Sequence, residues 1–380
     1  MDLRLRTLLL PAILSFAAGH GHLTDVAQTL DGGLLRSWFS IRGPRSGAKD
    51  VTVVRMDRRS FKRLGIASGQ SLSFKQFAAA IDKINAAKPK LIVLDVLFSQ
   101  AAREPEDNAD LCGAISRSPT VIASGVVSYI DTNPAGEQSL SWDHHVPVPE
   151  FAASAKQVVP LMVSRESDGS VTRISLAREN DPMPLPQIPL LGPLRQFVKA
   201  DIGQPGYHDL INYYGPPYFA PDVPVYKLLS PEENVPEEYF RGKVVLMGSV
   251  DIANTNPDGH DDSFSTPMSS APMFGVEIHA SIVQNLLDGG WIRRASRTAE
   301  GMVLGLVALA IGLAFVHLGL FRSFCVYLGV TALWAIGSYS AFAYGHFFIP
   351  GTLLFGVLLP LGLLVSAIHT WAKCHALAGQ

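Results

Sequence analysis

At 380 residues, 48% hydrophobic and only 17% charged, with a formal net charge of −2, the chain is too apolar for an ordinary soluble protein. The near-neutral balance and the lack of a basic stripe interleaved with aromatics exclude nucleic acid as the expected partner. Cys112 is the lone cysteine before the apolar C-terminal fifth, which excludes a disulfide framework there; a fold of about 270 residues buries enough core without one.

In chain order, MDLRLR followed by TLLLPAILSFAAG has the basic lead and apolar run of a signal peptide or a short uncleaved anchor, assigned to residues 1–24. Val26 to Ile41 carries apolar residues at loosely helical spacing and reads as a stalk helix broken at Gly32-Gly33. VTVVRMD then reads as a strand ending in Asp57. In LSFKQFAAAIDKINAAK, Ser73 and Gln76 form a capping box and Phe74, Phe77, Ala78, Ile81 and Ile84 one apolar face. LIVLDVLF is a second buried strand with Asp95 near its end, and strand, helix and strand at this spacing predict a crossover between parallel neighbours. A short helix from Glu104 to Ile115 and a third strand, TVIASGVV, follow.

VVPLMV and VTRISLA flank an Asp168-Gly169 turn and predict an antiparallel hairpin. DPMPLPQIPLLGP is too rich in proline for regular structure, Leu194 to Ala200 is weakly helical, DLINYYG reads as a strand and VYKLLS as a short helix. KVVLMG is a central strand stopped by Gly248. A long Asp- and Ser-rich loop leads from it to a helix starting at Val276 and stopping at Gly289-Gly290. The expected fold class is therefore α/β: an exported parallel-sheet domain, residues 25–297, with a β-rich insertion around residues 130–220.

Residues 298–372 contain three apolar stretches, Glu300 to Arg322, Ser323 to Gly345 and Phe347 to Ile368, each long enough to cross a hydrocarbon core of about 30 Å. Arg4, Arg6, Arg322 and Lys373 fall on one side and predict it to be cytoplasmic, with a short cytoplasmic tail at 373–380 and the large domain outside. Arg293, Arg294 and Arg297 then fall at the outer surface, against the usual trend. Intramembrane carboxylates are missing from these stretches, which argues against an ion pump. Gly301 and Gly305 have the GxxxG spacing that permits close helix packing.

In an open parallel sheet, ligands bind beyond the carboxyl ends of the strands. Asp57, Asp95 and Gly248-Ser249 lie at three such ends. If those strands are neighbours, the two carboxylates and the Asp-rich loop share one rim suited to a cation or an amine. The alternative is that each Asp caps the next segment or pairs with Arg55, Arg58 or Arg63. The expected ligand-binding residues are Asp57, Asp95, Asp262, Thr266, Glu277 and His279. Glu277 and His279 are about 200° apart on their helix, so one is expected to face the loop and the other solvent. Asp258, His260, Asp261 and Asp262 match no metal-site spacing and read as a solvated turn-rich loop, so neither a metal nor another cofactor is expected. His144 and His145 read as loop histidines able to sense pH. No nucleophile elbow, P-loop or GxGxxG is present, so the chain is not expected to be an enzyme.

VTVVRMDRRSF, LIVLDVLFSQ, SDGSVTRISLA, LINYYG, FRGKVVLMGS and STPM with FGVEIHASIVQNLL, in that order, resemble the type-two CHASE domain, a sensory module of bacterial membrane receptors. The resemblance runs from about residue 25 to 295, and the three-helix tail is similar to the family's membrane segment. GQSLSFKQF and Gln100 depart from the family pattern at one corner. The resemblance implies a bacterial inner-membrane sensor with its domain in the periplasm. Only about ten residues follow the last predicted helix, so no cytoplasmic output module is expected and the signal would leave through a separate membrane or cytoplasmic protein. A homodimer is left open. The alternative function is a structural or assembly subunit of an envelope complex.

Overall fold

The computed structural model describes residues 24–67, 70–102, 105–132, 138–163, 165–166, 168–173, 190–198, 209–250, 262–318 and 320–378. The predicted anchor at 1–24 lies almost wholly outside the described residues. The chain divides into two compact units, a helical one comprising Met1–Gly43, His208–Leu210 and Ile292–Gln380, and an α/β one comprising Pro44–Tyr207 and Ile211–Trp291.

The α/β unit is built on a sheet in which β1 (Val51–Met56), β2 (Leu91–Leu97), β3 (Thr120–Thr132), β5 (Gln157–Pro160), β6 (Asp222–Pro224) and β7 (Val244–Ser249) run parallel. The spatial order is β5, β3, β2, β7, β1, β6, and β4 (Gln138–His145) pairs antiparallel with the second half of the long β3. β1 and β2 were expected to be neighbours; β7 lies between them. That position follows from composition, since Val244 to Met247 are all fully buried and a strand covered on both faces belongs at the centre.

Strand residues alternate between two apolar layers. Val54, Met56, Ile92, Leu94, Ile122, Val245 and Met247 join the core formed with helices Phe74–Ala86 and Pro105–Ser116. The alternate residues Val51, Val53, Leu91, Val93, Val244 and Leu246 are equally buried and line the opposite face, where helix Gly275–Asp288 packs against β7 and β1. This closing helix is buried all round from Gly275 to Leu287 and ends at Gly289, whose φ of 68° supplies the left-handed cap. The expected capping box is present: Ser73 Oγ accepts from Gln76 N at 3.2 Å and Gln76 Oε1 accepts from Ser73 N at 2.9 Å.

Several sequence expectations are corrected. The antiparallel partner of β3 is β4, which carries His144 and His145 within a strand, not a loop. Asp168-Gly169 does form a turn, with Gly169 at φ 77°, but VVPLMV contributes β5 to the parallel sheet and not to a hairpin. The described part of VTRISLA lies in no named strand: beside the isolated bridge Ser170 to Ser265, Val171 N donates to Ser265 O at 2.9 Å and Thr172 O accepts from Ile211 N at 2.8 Å. Among described residues, DLINYYG likewise forms no strand beyond the bridge Leu210 to Ile292, because side-chain amides occupy its neighbouring backbone groups. Helical structure near residue 194 falls at Leu191–Leu194, before the expected stretch. The Asp-rich loop is shorter than expected, because β8 (Ser263–Thr266) and β9 (Ser269–Phe274) form a hairpin out of its second half.

In the helical unit, helix Thr24–Arg42 continues through Gly32 and Gly33 without the expected break. Its Phe39 packs edge-on to Phe342 at 5.0 Å and its Trp38 lies 5.4 Å from Tyr339; ring contacts of this size offset the roughly 1 kcal/mol cost of each helical glycine. Helices Arg297–His317, Leu320–Gly345 and Leu359–Ala378 follow in order, the last entered through a π turn at Leu354–Leu358. Among the described residues, one helix, Leu320–Gly345, is long and apolar enough to cross a membrane; Thr298–Gly312 and Leu354–Leu364 are shorter apolar stretches.

Ser73→Ala is expected to cost about 1 kcal/mol. Amide exchange across Phe74–Ala86 should quicken, and Ser73→Asp should restore it.

Candidate ligand site at the carboxyl edge of the sheet

Register places Asp95 of β2 opposite Gly248 of β7, and Gly248 opposite Arg55 of β1. By alternation all three lie on the face covered by the closing helix. Gly248 permits that cover: a Cβ there would lie 2.8 Å from Val276 Cβ and 3.2 Å from Asp95 Cβ. Gly275 does the same for the loop, since its Cβ would fall 2.7 Å from Asp262 Oδ1. Asp262 is further tied to the helix through its carbonyl, which accepts from Gly275 N at 3.2 Å. Two glycines thus let two carboxyl groups approach the positive end of one helix.

Both carboxyls retain some solvent-accessible surface, yet protein surrounds them closely enough to disfavour charge. Burial pushes Asp95 up to about 7. Burial first, then the charge of Asp95, pushes Asp262 up to about 8, against the Gly275 hydrogen bond and the attraction of Arg165. Carboxyls placed in this way release protons as a pair. Arg165 is held to one side: Nη2 donates to Ser263 O at 3.1 Å, and its guanidinium sits 4.7 Å from the Phe264 ring.

The other expected residues are placed differently. Asp57 caps helix Arg58–Arg63, its Oδ1 accepting from Ser60 N at 2.7 Å, while Oδ2 accepts from Arg55 Nη1 at 2.9 Å. This is the capping and Arg55-pairing arrangement left as the alternative from sequence. β7 separates β1 from β2, so their axes are roughly 9.5 Å apart and Asp57 does not share the Asp95–Asp262 pair. Arg55 also bonds Asp222.

Glu277 is buried, and its two oxygens accept from Tyr218 N at 2.7 Å and Phe274 N at 3.2 Å. Burial raises its pKa, while those two backbone donors lower it. His279 is also buried, and burial lowers its pKa to about 4, keeping it neutral. Neither side chain faces solvent, contrary to expectation, because the closing helix is covered on every side. Thr266 is a buried β8 residue whose hydroxyl lies 3.6 Å from Met273 Sδ across the hairpin.

Sequence reasoning missed Tyr218. It is 54% exposed, has a φ of 67°, and lies under the Arg55 guanidinium at 5.2 Å. Such a backbone angle is costly for a tyrosine and persists only where neighbours enforce it; here Glu277 holds its N–H. The one available signal was the proline-flanked turn GPPYFAP. Asp258, His260 and Asp261 lie outside the described residues. Among described residues, no group of three or more His, Cys, Asp or Glu side chains is gathered for a metal.

Comparison with protein-family models matches residues 8–316 to the CHASE2 domain. The chain belongs to the CHASE2 family. CHASE2 domains are extracytoplasmic sensory modules, so the six motifs that resembled the family lie in a sensory fold of that kind. No curated protein and no solved structure matches the chain. Within this CHASE2 domain, Asp95, Gly248 and Asp262 meet at the carboxyl edge of the sheet, while Asp57 and Glu277 spend their carboxylates on backbone and arginine partners.

The pKa shifts fix a pH dependence. An aspartate near 3.9 when unfolded and raised to about 7 or 8 when folded contributes stability that is complete below pH 4 and lost as pH rises toward 8. His279, lowered to about 4 from 6.5, has the opposite sign: its contribution is present above pH 6.5 and lost as pH falls to 4. Asp95→Asn should therefore stabilise the protein more at pH 8 than at pH 5, while His279→Gln should remove only the loss at the acid end. Melting temperatures measured from pH 4 to pH 8.5 check both signs.

Proposed function

We propose that this CHASE2 protein is a membrane-bound extracytoplasmic receptor subunit that binds a ligand at the carboxyl edge of its sheet and signals through an associated protein. The observation that carries this reading is the Asp95–Asp262 pair, partly open to solvent, seated where the closing helix begins. A guest bearing an amine or other cation would let both carboxyls ionise at neutral pH, so the differential interaction needed to bias one conformation is built into the site.

Helix Leu320–Gly345, with Phe321, Leu333 and Ile336 exposed along it, supports attachment to a bilayer. We read the flanking tail helices as two further spans, with the α/β unit outside an inner membrane and the C-terminus inside. Closing-helix residues Gly275 to Leu287 are the moving part in this reading.

The intact chain in lipid nanodiscs, titrated with a panel of primary and quaternary amines, is expected to show a thermal shift with at least one of them. Asp95→Asn and Asp262→Asn should weaken that response at least tenfold. Asp57→Asn, which keeps an N-cap acceptor for Ser60 N but removes the charge from the Arg55 pair, should lower stability by no more than about 1 kcal/mol and leave affinity unchanged. Absence of any amine response, with only envelope components co-purifying, would assign the protein instead to an assembly role.

A further inference from the structure

Within the α/β unit, the turn around Asp168-Gly169 holds one arginine against the strand that begins beside Asp262. The turn is closed by its own backbone: Glu166 N donates to Ser170 O at 2.7 Å and Gly169 N donates to Glu166 O at 2.9 Å. Asp168 Oδ1 adds to this by accepting from Ser170 N at 3.0 Å and from Ser170 Oγ at 2.6 Å. One side of the turn is pinned to β8, since Ser170 bridges Ser265 and Val171 N donates to Ser265 O at 2.9 Å. Arg165, on the other side, reaches the start of the same strand. There its Nη2 donates to Ser263 O at 3.1 Å and its guanidinium lies 4.7 Å from the Phe264 ring.

The nearest carboxylates in the chain are engaged elsewhere. Glu166 holds Arg173 Nε at 2.7 Å and Nη2 at 2.5 Å, and accepts from Thr172 Oγ1 at 2.7 Å, while Asp168 is bonded to Ser170. Among the described residues, Arg165 forms no ion pair. The carboxyl on which its charge acts is that of Asp262, the residue before Ser263, and the other charge acting on Asp262 is Asp95 of β2. When both carboxyls are ionised, two negative charges stand beside one positive charge, which leaves the group with a single negative charge.

We propose that Arg165 is a specificity-determining residue of the Asp95–Asp262 site, a fixed cation at its border that admits one positive charge on the guest and opposes a second. A monoamine brings the group to neutrality. A diamine or a divalent metal ion would set its extra charge against the guanidinium, with no carboxylate left over to offset it. Anchoring is what makes this effective: an untethered surface arginine turns out into water, whereas a carbonyl and an aromatic ring together keep this one in place. The proposal rests on the receptor reading for the class of guest, and on the turn and β8 for the position of the cation.

The test titrates butylamine and butanediamine against the full chain in nanodiscs, for the parent, Arg165→Gln and Arg165→Lys. Arg165→Gln is expected to raise diamine affinity relative to monoamine affinity by roughly fivefold or more, and Arg165→Lys, which keeps the charge, to leave the ratio near that of the parent. A second readout needs no ligand. Arg165 offsets part of the rise in the Asp262 pKa, so Arg165→Gln should carry that pKa higher and deepen the loss of melting temperature between about pH 5 and pH 8.5. Amines that bind with an unchanged ratio in Arg165→Gln would overturn the proposal and leave the receptor reading standing. If neither amine binds, the receptor reading falls and the pH profile decides alone: a steeper loss in Arg165→Gln upholds the charge balance, and an unchanged profile overturns it.

Discussion

The close approach of the closing helix to the middle of the sheet, made possible by Gly248, is the contact on which the site depends. Any side chain there would collide with Val276 and press on Asp95. Because the helix can lie that low, its first turn meets the carboxyl ends of β7 and β2, and Gly275 brings Asp262 against it. Sheet register, helix placement and loop entry are therefore one geometric condition. The closing helix carries a polar stripe, Glu277, Ser281, Gln284 and Asp288, yet it is buried from Gly275 to Leu287, so its glutamate and histidine are buried with it.

The polar groups around the sheet edge divide by whether they are compensated. Arg55 pairs with both Asp57 and Asp222, and Glu277 receives two backbone donors. Such groups hold the fold and have little left to give a ligand. Asp95 and Asp262 differ: burial raises both, and the Gly275 bond and Arg165 offset only part of the effect at Asp262. Folding stability is lower with that pair charged than with it neutral, and binding is where the difference can be recovered.

The fold was legible where periodicity was strong. The buried strands around Val53, Val93 and Leu246, the capped helix from Phe74, and the final helix ending at Gly289 all follow from spacing and caps. Order within the sheet was not legible, because an all-apolar run such as KVVLMG states that a strand is central without stating its neighbours. β4 was missed because SLSWDHHV lacks clean alternation and pairs with a strand end that looked finished at Val127. Of the site, Asp95 and Asp262 could be picked by residue type and place, whereas the engagement of Asp57 and Glu277 depends on backbone donors that no residue pattern advertises. Tyr218 was invisible, since nothing in its type signals a left-handed backbone; only its proline-flanked turn pointed there.

The central position of β7 has a consequence for biogenesis. It is the last strand of the sheet in the chain, yet it separates β1 from β2, which precede it by more than 140 residues. Until it arrives, the earlier strands form two fragments, each presenting an unpaired apolar edge. The sheet therefore cannot be completed progressively as the chain emerges, and its contacts are of the long-range kind that fold slowly. Nearly the whole α/β unit, through Ser249, must be synthesised before the sheet can close. During that interval the exposed strand edges are where a holding chaperone would bind and where aggregation would begin.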